Sequence, residues 1–194
     1  MKALTVYIDF KSAASYLALD ATVKLTQKHH LEVKWEPYQV RLANLAEPKD
    51  SETKTETHLR VRETQRRQTD VKYAEIQGIP MNFQPEPKGS TVALMALLQL
   101  SSDPLDYVKS AFIAYWRDGL DLGKPEVVKS ILVASGYDAA SVKFDDEMKK
   151  LLATHQTHAE EQGVFDAPMF VIRGERFLGR EHLPWMERLF TGQM

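Results

Sequence analysis

Two serines in the segment FKSAASYLALD, Ser12 and Ser15, have the spacing of the paired cysteines that carry out disulfide exchange. The chain contains no cysteine, which excludes disulfide exchange by this chain alone, structural disulfides, cysteine nucleophiles and thiolate metal sites. A serine hydroxyl at the first turn of a helix can instead donate a hydrogen bond to a bound thiolate, and the unpaired amides and the helix dipole favour the same negative charge. Ser12 is therefore predicted to cap the following helix, a role that is compatible with donating to a bound anion. Ser15 is expected to be structural.

A proline, Pro168, stands where an apolar strand is about to begin in GVFDAPMFVIRGERFLGR, just after a long helical segment. Proline has no backbone N–H, so it is confined to strand starts, edges and bulges. An ordinary trans proline at a strand start explains this placement from composition alone. The alternative is a proline that exposes the neighbouring backbone to a ligand.

Composition and charge narrow the class of protein. Hydrophobic residues make up 43% and charged residues 27% of the 194 residues, as in ordinary globular proteins. That length suits one domain, or one domain with a sizeable insertion. A formal net charge of −2 indicates neither nucleic acid nor an anionic membrane as a partner. No apolar run is long enough to span a bilayer, and Asp9 interrupts the first segment before a secretory signal develops, so we expect a cytoplasmic protein.

The chain opens with the pattern of a β–α–β unit. A buried strand is predicted from Ala3 to Phe10, a helix from Ser12 to His30, and a strand with alternating exposure over residues 31–40. The crossover of this unit should be right-handed, with the two strands parallel.

Helices dominate the middle of the chain. The segment that begins at residue 43 is polar and expected to be mobile at first, and it continues into a helix that Gly78 and Pro80 should end. Four further helices are predicted, the first of them capped by Ser90. The chain then returns to a β-hairpin that turns near Arg173 and Gly174, followed by a final amphipathic helix. The predicted order is βαβ, a helical block, then ββα.

Three motifs, in order along nearly the whole chain, resemble those of one family. FKSAASYLALD resembles the F-x-S-P-Y-S-Y-L opening of 2-hydroxychromene-2-carboxylate isomerases and kappa-class glutathione transferases. AYWRDGLDLGKPEVV is similar to their Y-W-x-x-G-x-D segment, and the stretch from Gly163 to Phe190 resembles their ending, G-V-F-G-V-P-T-F-V…G-x-x-F-x-G-x-D-R-L. The resemblance implies an α/β, thioredoxin-like fold of the DsbA type. Residues 1–41 and 164–194 would form the thioredoxin-like domain, and residues 42–163 a helical insertion domain.

The same resemblance implies a function and a set of site residues. The protein would use glutathione as a cofactor, in an isomerase or transferase that acts on small electrophilic, aromatic compounds. Ser12 would hold the glutathione sulfur as a thiolate, and Ala167, joined to Pro168 by a cis peptide bond, would pair with the glutathione backbone like an added strand. Arg180 and Glu181 would bind the γ-glutamyl end. A homodimer is also implied.

The chain departs from the family motifs at this predicted site. Ala13 and Ala14 replace a proline and an aromatic residue, and Arg180 with Glu181 replaces a Ser-Asp or Gln-Asp pair. Asp166 replaces a glycine beside Pro168 and so places a negative charge where an anion is expected to bind. These changes leave open a second reading, a non-catalytic thioredoxin-like protein whose altered pocket binds a peptide or another ligand.

Other charged residues have weaker functional interpretations. Arg62, in the basic segment HLRVRETQRR, either holds a carboxylate of the substrate or part of glutathione, or lies on a solvated helix face, which is the expectation. His155, His158 and Glu161 recur every three residues, which carries them around a helix and favours surface polarity over a metal site. Lys11 either favours a bound thiolate or points into water, and the second is the expectation.

Overall fold

The first three elements form a β–α–β unit in the computed structural model, which describes residues 3–41, 52–84, 87–101 and 103–192. They are β1 (Ala3–Ile8), α1 (Ala13–Lys28) and β2 (Glu32–Pro37). β1 and β2 are parallel, with Val6 opposite Trp35, as the sequence predicts. Apolar residues alternate along β1 so that Leu4, Val6 and Ile8 are all buried in the core.

The chain forms two compact units, Met1–Val40 with Asn82–Met194, and Arg41–Met81. The second unit contains helix α2 (Lys54–Gln77). Thr53 and Glu56 form a reciprocal capping box at its start, and Gly78, at φ 64°, ends it in the left-handed conformation that glycine tolerates. Residues 42–51, which carry much of the segment expected to be mobile and the expected boundary at residue 42, lie outside the described residues. The division into residues 1–41 with 164–194 and residues 42–163 stays a prediction.

Four helices of the first unit lie between its βαβ and ββα parts in the chain. They are α3 (Thr91–Gln99), α4 (Leu105–Trp116), α5 (Pro125–Ala134) and α6 (Asp146–Glu161). Helix α3 contacts β2 as well as α4, α5 and α6, and α4 also contacts α1. This packing attaches the helical block to the sheet at β2 and to the first helix.

The last elements complete a four-stranded mixed sheet. Strands β3 (Met169–Ile172) and β4 (Glu175–Leu178) form an antiparallel hairpin, and the strand order is β2-β1-β3-β4. The turn residues Arg173 and Gly174 both have positive φ, 51° and 83°, as a two-residue hairpin turn requires. A short 3₁₀ helix (Arg180–His182) and α7 (Leu183–Thr191) follow, and both contact α1. The predicted α/β, thioredoxin-like arrangement is confirmed.

Candidate functional site

Ser12 lies at the junction of β1 and α1 and makes hydrogen bonds in three directions. Its hydroxyl oxygen accepts the Ser15 amide at 3.2 Å, which caps α1, and its hydroxyl donates to the carbonyl oxygen of Ala167 at 2.9 Å. Its own amide donates to the Asp9 carbonyl at 3.0 Å. The side chain is 1% exposed. Ser12 therefore caps the helix and also fixes the helix start against the loop that precedes β3.

That loop carries the residues predicted to bind a ligand backbone. The peptide bond between Ala167 and Pro168 is cis, and Pro168 immediately precedes β3. The Pro168 carbonyl accepts the Gly179 amide at 3.0 Å, which joins the loop to the end of β4. The Ala167 amide donates to the Asp166 carboxylate at 2.8 Å. The structure thus brings Ser12, Ala167 and Pro168 together.

Ser15, which was expected to be structural, lies in the first turn of α1. Its hydroxyl is buried, at 2% exposure, and has no hydrogen-bond partner among the described residues. The amides of Ala13 and Ala14, in the same first turn, have no intrahelical acceptor. Unpaired donors and the positive end of the helix dipole favour an anion at this position.

Asp9 also contributes to this site, although the sequence did not predict it as a site residue. Its carboxylate is fully buried and accepts hydrogen bonds from the amides of Lys11 and Val40 and from the hydroxyl of Ser90, at 3.2, 2.8 and 2.7 Å. Burial raises the pKa of Asp9, and the nearby Lys11 opposes that effect. The available signal was an acidic residue directly at the end of an apolar strand.

Two expectations about neighbours of Asp9 need correction. Ser90 stands at the start of α3 but makes no side-chain capping bond, because its hydroxyl donates to Asp9 instead. Lys11 was expected to point into water, yet its side chain is only 17% exposed and its Nζ lies 3.8 Å from the Asp9 carboxylate. The buried carboxylate accounts for both differences, since it requires donors in a region without water.

Aromatic rings line the helical side of the site. Trp116 donates its indole N–H to the carbonyl of Phe10 at 2.9 Å, two residues before Ser12. Phe112 packs edge-on against Phe10 and stacks with Tyr16, with ring centroids 5.1 and 5.4 Å apart. Tyr16 follows Ser12 by one helical turn, so the two share a face of α1. Its half-buried ring offers an aromatic surface beside the serine.

The other predicted site residues belong to other elements of the chain. Arg180 and Glu181 belong to the 3₁₀ helix that contacts α1. Arg180 is half-buried, whereas Glu181 is exposed, and its carboxylate lies against the Cα of Gly179, in the space that a Cβ there would occupy. Arg62 is exposed on α2, in the other compact unit.

The histidines of α6 face different surroundings. His155 is half-buried and its Nε2 lies 3.2 Å from the Glu36 carboxylate, while His158 and Glu161 are exposed, with 3.8 Å between Nδ1 and Oε2. Burial lowers the pKa of His155, and Glu36 acts against that effect. In the part of the chain that the structure describes, no group of three or more His, Cys, Asp or Glu side chains could hold a metal ion.

A cleft of about 1020 Å³ lies apart from this centre. It runs along the outer edge of β2 and is lined by residues of α1, α3 and α6. Neither Ser12 nor Ala167 lines it.

Over residues 3–41, 52–84, 87–101 and 103–192, no helix has the length and apolar character needed to cross a membrane.

Comparisons with known proteins identify the architecture. A family model described as a DSBA-like thioredoxin domain matches residues 3–190. A solved 2-hydroxychromene-2-carboxylate isomerase is 18% identical with a TM-score of 0.77, over 98% of this chain and 95% of that chain. A probable DsbA oxidoreductase from Streptomyces coelicolor is 16% identical with a TM-score of 0.68, over 100% and 92%.

A third solved structure is the cytosolic disulfide reductase DsbM from Pseudomonas aeruginosa with GSH. It is 14% identical with a TM-score of 0.66, over 98% of each chain. At these identities the solved structures show the fold alone. No match was found among curated protein sequences.

Proposed function

Because the chain belongs to the family of DSBA-like thioredoxin domains, we propose that it binds glutathione at the start of α1 and acts as an isomerase or transferase of small electrophilic, aromatic compounds. One observation carries the proposal. In a chain without cysteine, the hydroxyl of Ser12 lies at the head of α1 and 2.9 Å from the carbonyl of Ala167. A serine there cannot supply sulfur, so in the proposed chemistry the ligand supplies it.

The donors at the helix start fit an anionic sulfur. The Ser12 hydroxyl already donates to Ala167, whereas the Ser15 hydroxyl is buried and lacks a partner among the described residues. Leaving a buried hydroxyl unpaired is unfavourable, and a thiolate would give it an acceptor. Together with the first-turn amides and the helix dipole, this donor would lower the pKa of a bound thiol.

When bound, glutathione supplies a thiolate that adds to an electrophilic carbon and, in an isomerisation, leaves again unchanged. The chain's own residues orient that reaction. Ala167 would bind the backbone of the tripeptide, and Arg180 with Glu181 would bind its γ-glutamyl carboxylate and ammonium. The Tyr16 ring, stacked on Phe112, would contact an aromatic substrate.

Similar solved structures support the choice of ligand and reaction. One is described as 2-hydroxychromene-2-carboxylate isomerase and another was solved with GSH, at 18% and 14% identity. The support from these two structures rests on similarity of fold alone.

Glutathione binding is the direct test. Reduced glutathione at ten times its Kd should stabilise the folded protein by about 1.4 kcal/mol, which raises the Tm by roughly 3–6 °C for a chain of this size. Immobilised glutathione should retain the wild-type protein and lose Ser12→Ala, while Ser130→Ala, at an exposed position on α5, should be retained. Turnover of an aromatic electrophile with and without release of a conjugate would separate transferase from isomerase.

One observation favours a second function, a non-catalytic binding protein. The amide and the carbonyl of Ala167 are both already engaged, by Asp166 and Ser12. A ligand of different chemistry could then occupy the site without glutathione. An unchanged Tm at millimolar glutathione would favour this alternative.

A further inference from the structure

The backbone of Ala167 is satisfied from within the chain by two side chains of different kinds. Its carbonyl accepts the hydroxyl of Ser12 at 2.9 Å. Its amide donates to the carboxylate of Asp166, with 2.8 Å between the nitrogen and Oδ1. Ala167 itself is 0% exposed, so a ligand can pair with either group only after side chains that cover it have moved.

The two contacts place unequal demands on a ligand that pairs with Ala167. A carbonyl oxygen has two lone pairs, so a ligand N–H can donate to it while Ser12 keeps its bond. An amide has one hydrogen, so a ligand carbonyl can reach it only by displacing Asp166. The acceptor to be displaced is ionised, and hydrogen bonds to ionised acceptors are roughly twice as strong as bonds between neutral groups.

We propose that Asp166 is an intramolecular competitor that occupies the Ala167 amide in place of a ligand carbonyl and thereby weakens thiol-peptide binding at the site. This inference rests on the proposed binding of glutathione. The carboxylate acts in two ways. It blocks the amide, and its negative charge opposes a thiolate held at the nearby start of α1.

Two substitutions separate these effects. Asp166→Ala removes both the acceptor and the charge, whereas Asp166→Asn keeps a side-chain oxygen that can accept the amide but removes the charge. We expect Asp166→Ala to bind reduced glutathione about tenfold more tightly than the wild-type protein, the change produced by replacing a charged hydrogen bond with a neutral one. Asp166→Asn should gain less.

S-methylglutathione distinguishes the competition for the amide from the charge effect, because it has the same backbone and no ionisable thiol. Its affinity should rise in Asp166→Ala and rise by less in Asp166→Asn, whose neutral oxygen competes for the amide more weakly than the carboxylate does. Asp138→Ala is the matched control. The Asp138 carboxylate also accepts a backbone amide, that of Ala140 at 2.9 Å, at an exposed position, and this variant should keep the wild-type Kd for both ligands.

Isothermal titration calorimetry of the wild-type protein, the two Asp166 variants and Asp138→Ala measures the Kd of each ligand. Each protein is first shown to unfold cooperatively in urea. A tenfold lower Kd in Asp166→Ala supports the inference. Binding of equal strength to the wild-type protein and to Asp166→Ala, or binding to the wild-type protein alone, overturns it and leaves glutathione as the ligand. Failure of both proteins to bind at millimolar ligand overturns the proposed function together with the inference. Should Asp166→Ala fail to fold, the comparison of Asp166→Asn with the wild-type protein decides, since removal of the charge alone must tighten the binding of reduced glutathione.

Discussion

Ser12 and Ser15 form a matched pair for mutagenesis, because their hydroxyls are equally buried but differ in hydrogen bonding. They are 1% and 2% exposed and lie in the same helix start. Ser12 accepts one hydrogen bond and donates another, while the hydroxyl of Ser15 has no partner within the described residues. Substitution of each by alanine removes one oxygen atom from a similar environment.

The expected changes in the free energy of unfolding have different sizes. Ser12→Ala loses the cap of α1, worth about 1 kcal/mol. It also removes a donor from the buried carbonyl of Ala167, which costs about 1–3 kcal/mol. The sum is a loss of about 2–4 kcal/mol. Ser15→Ala removes a buried hydroxyl that makes no hydrogen bond, so the change should lie between zero and about 1 kcal/mol of stabilisation.

Urea unfolding at constant m-value measures both changes. For a chain of this size the loss in Ser12→Ala corresponds to a Tm lower by roughly 4–16 °C. Equal destabilisation of the two variants would refute the reasoning, because it would mean that the hydrogen bonds of Ser12 contribute nothing beyond the buried atom itself. Ser15→Ala has a further use. If its hydroxyl donates to a bound thiolate, this variant should bind glutathione more weakly although it is no less stable.

Three other perturbations probe the same region. Ser12→Cys introduces the only thiol of the chain, and the pKa of this thiol should fall below the ordinary value of about 8.5. The thiol of an exposed Ser130→Cys control should show no such fall. Thiolate absorbance measures both pKa values, and a raised pKa at position 12 would argue against an anionic sulfur there. Burial raises the pKa of Asp9 above its ordinary value of 3.8, so the folded state holds this proton more tightly than the unfolded chain. The difference in unfolding free energy between the wild-type protein and Asp9→Asn should therefore decline as pH rises from about 4 through the folded pKa; a difference that does not change with pH would contradict this. Trp116→Phe removes the donor to the buried carbonyl of Phe10 and should cost about 1–3 kcal/mol in urea unfolding, whereas no loss would show that the carbonyl finds another donor.

Local sequence signals sufficed for much of the fold. The start of α1 at Ser12, the end of α2 at Gly78 and the hairpin turn at Arg173 and Gly174 depend on capping and turn chemistry within a few residues. The parallel pairing of β1 and β2 follows from the helical crossover that connects them. Such features are readable because the residues that determine them are neighbours in the chain.

The parts of the site that were missed depend on contacts between distant segments. Asp9 binds the amide of Val40 and the hydroxyl of Ser90, 31 and 81 residues away. No periodicity in the sequence indicates that these three residues are close in space. Without those contacts, neither the burial of Asp9 nor the direction of the Lys11 side chain could be predicted. The bond between Asp166 and the amide of Ala167 is local, but it depends on a side-chain rotamer that residue type alone does not specify.

The residues of this site divide by whether the fold depends on them. Ser12, Asp9 and Trp116 each hold two segments together through buried hydrogen bonds, so a loss of function in their variants is confounded with a loss of structure. Ser15 makes no such connection among the described residues, since its hydroxyl is unpaired. Glutathione affinity is therefore expected to fall in Ser15→Ala and to rise in Asp166→Ala, and the free energy of unfolding of each variant shows whether its scaffold is unchanged. Opposite effects of these two substitutions on glutathione binding, at constant stability, cannot arise from altered folding and would have to come from the hydrogen bonds and charge at the ligand site.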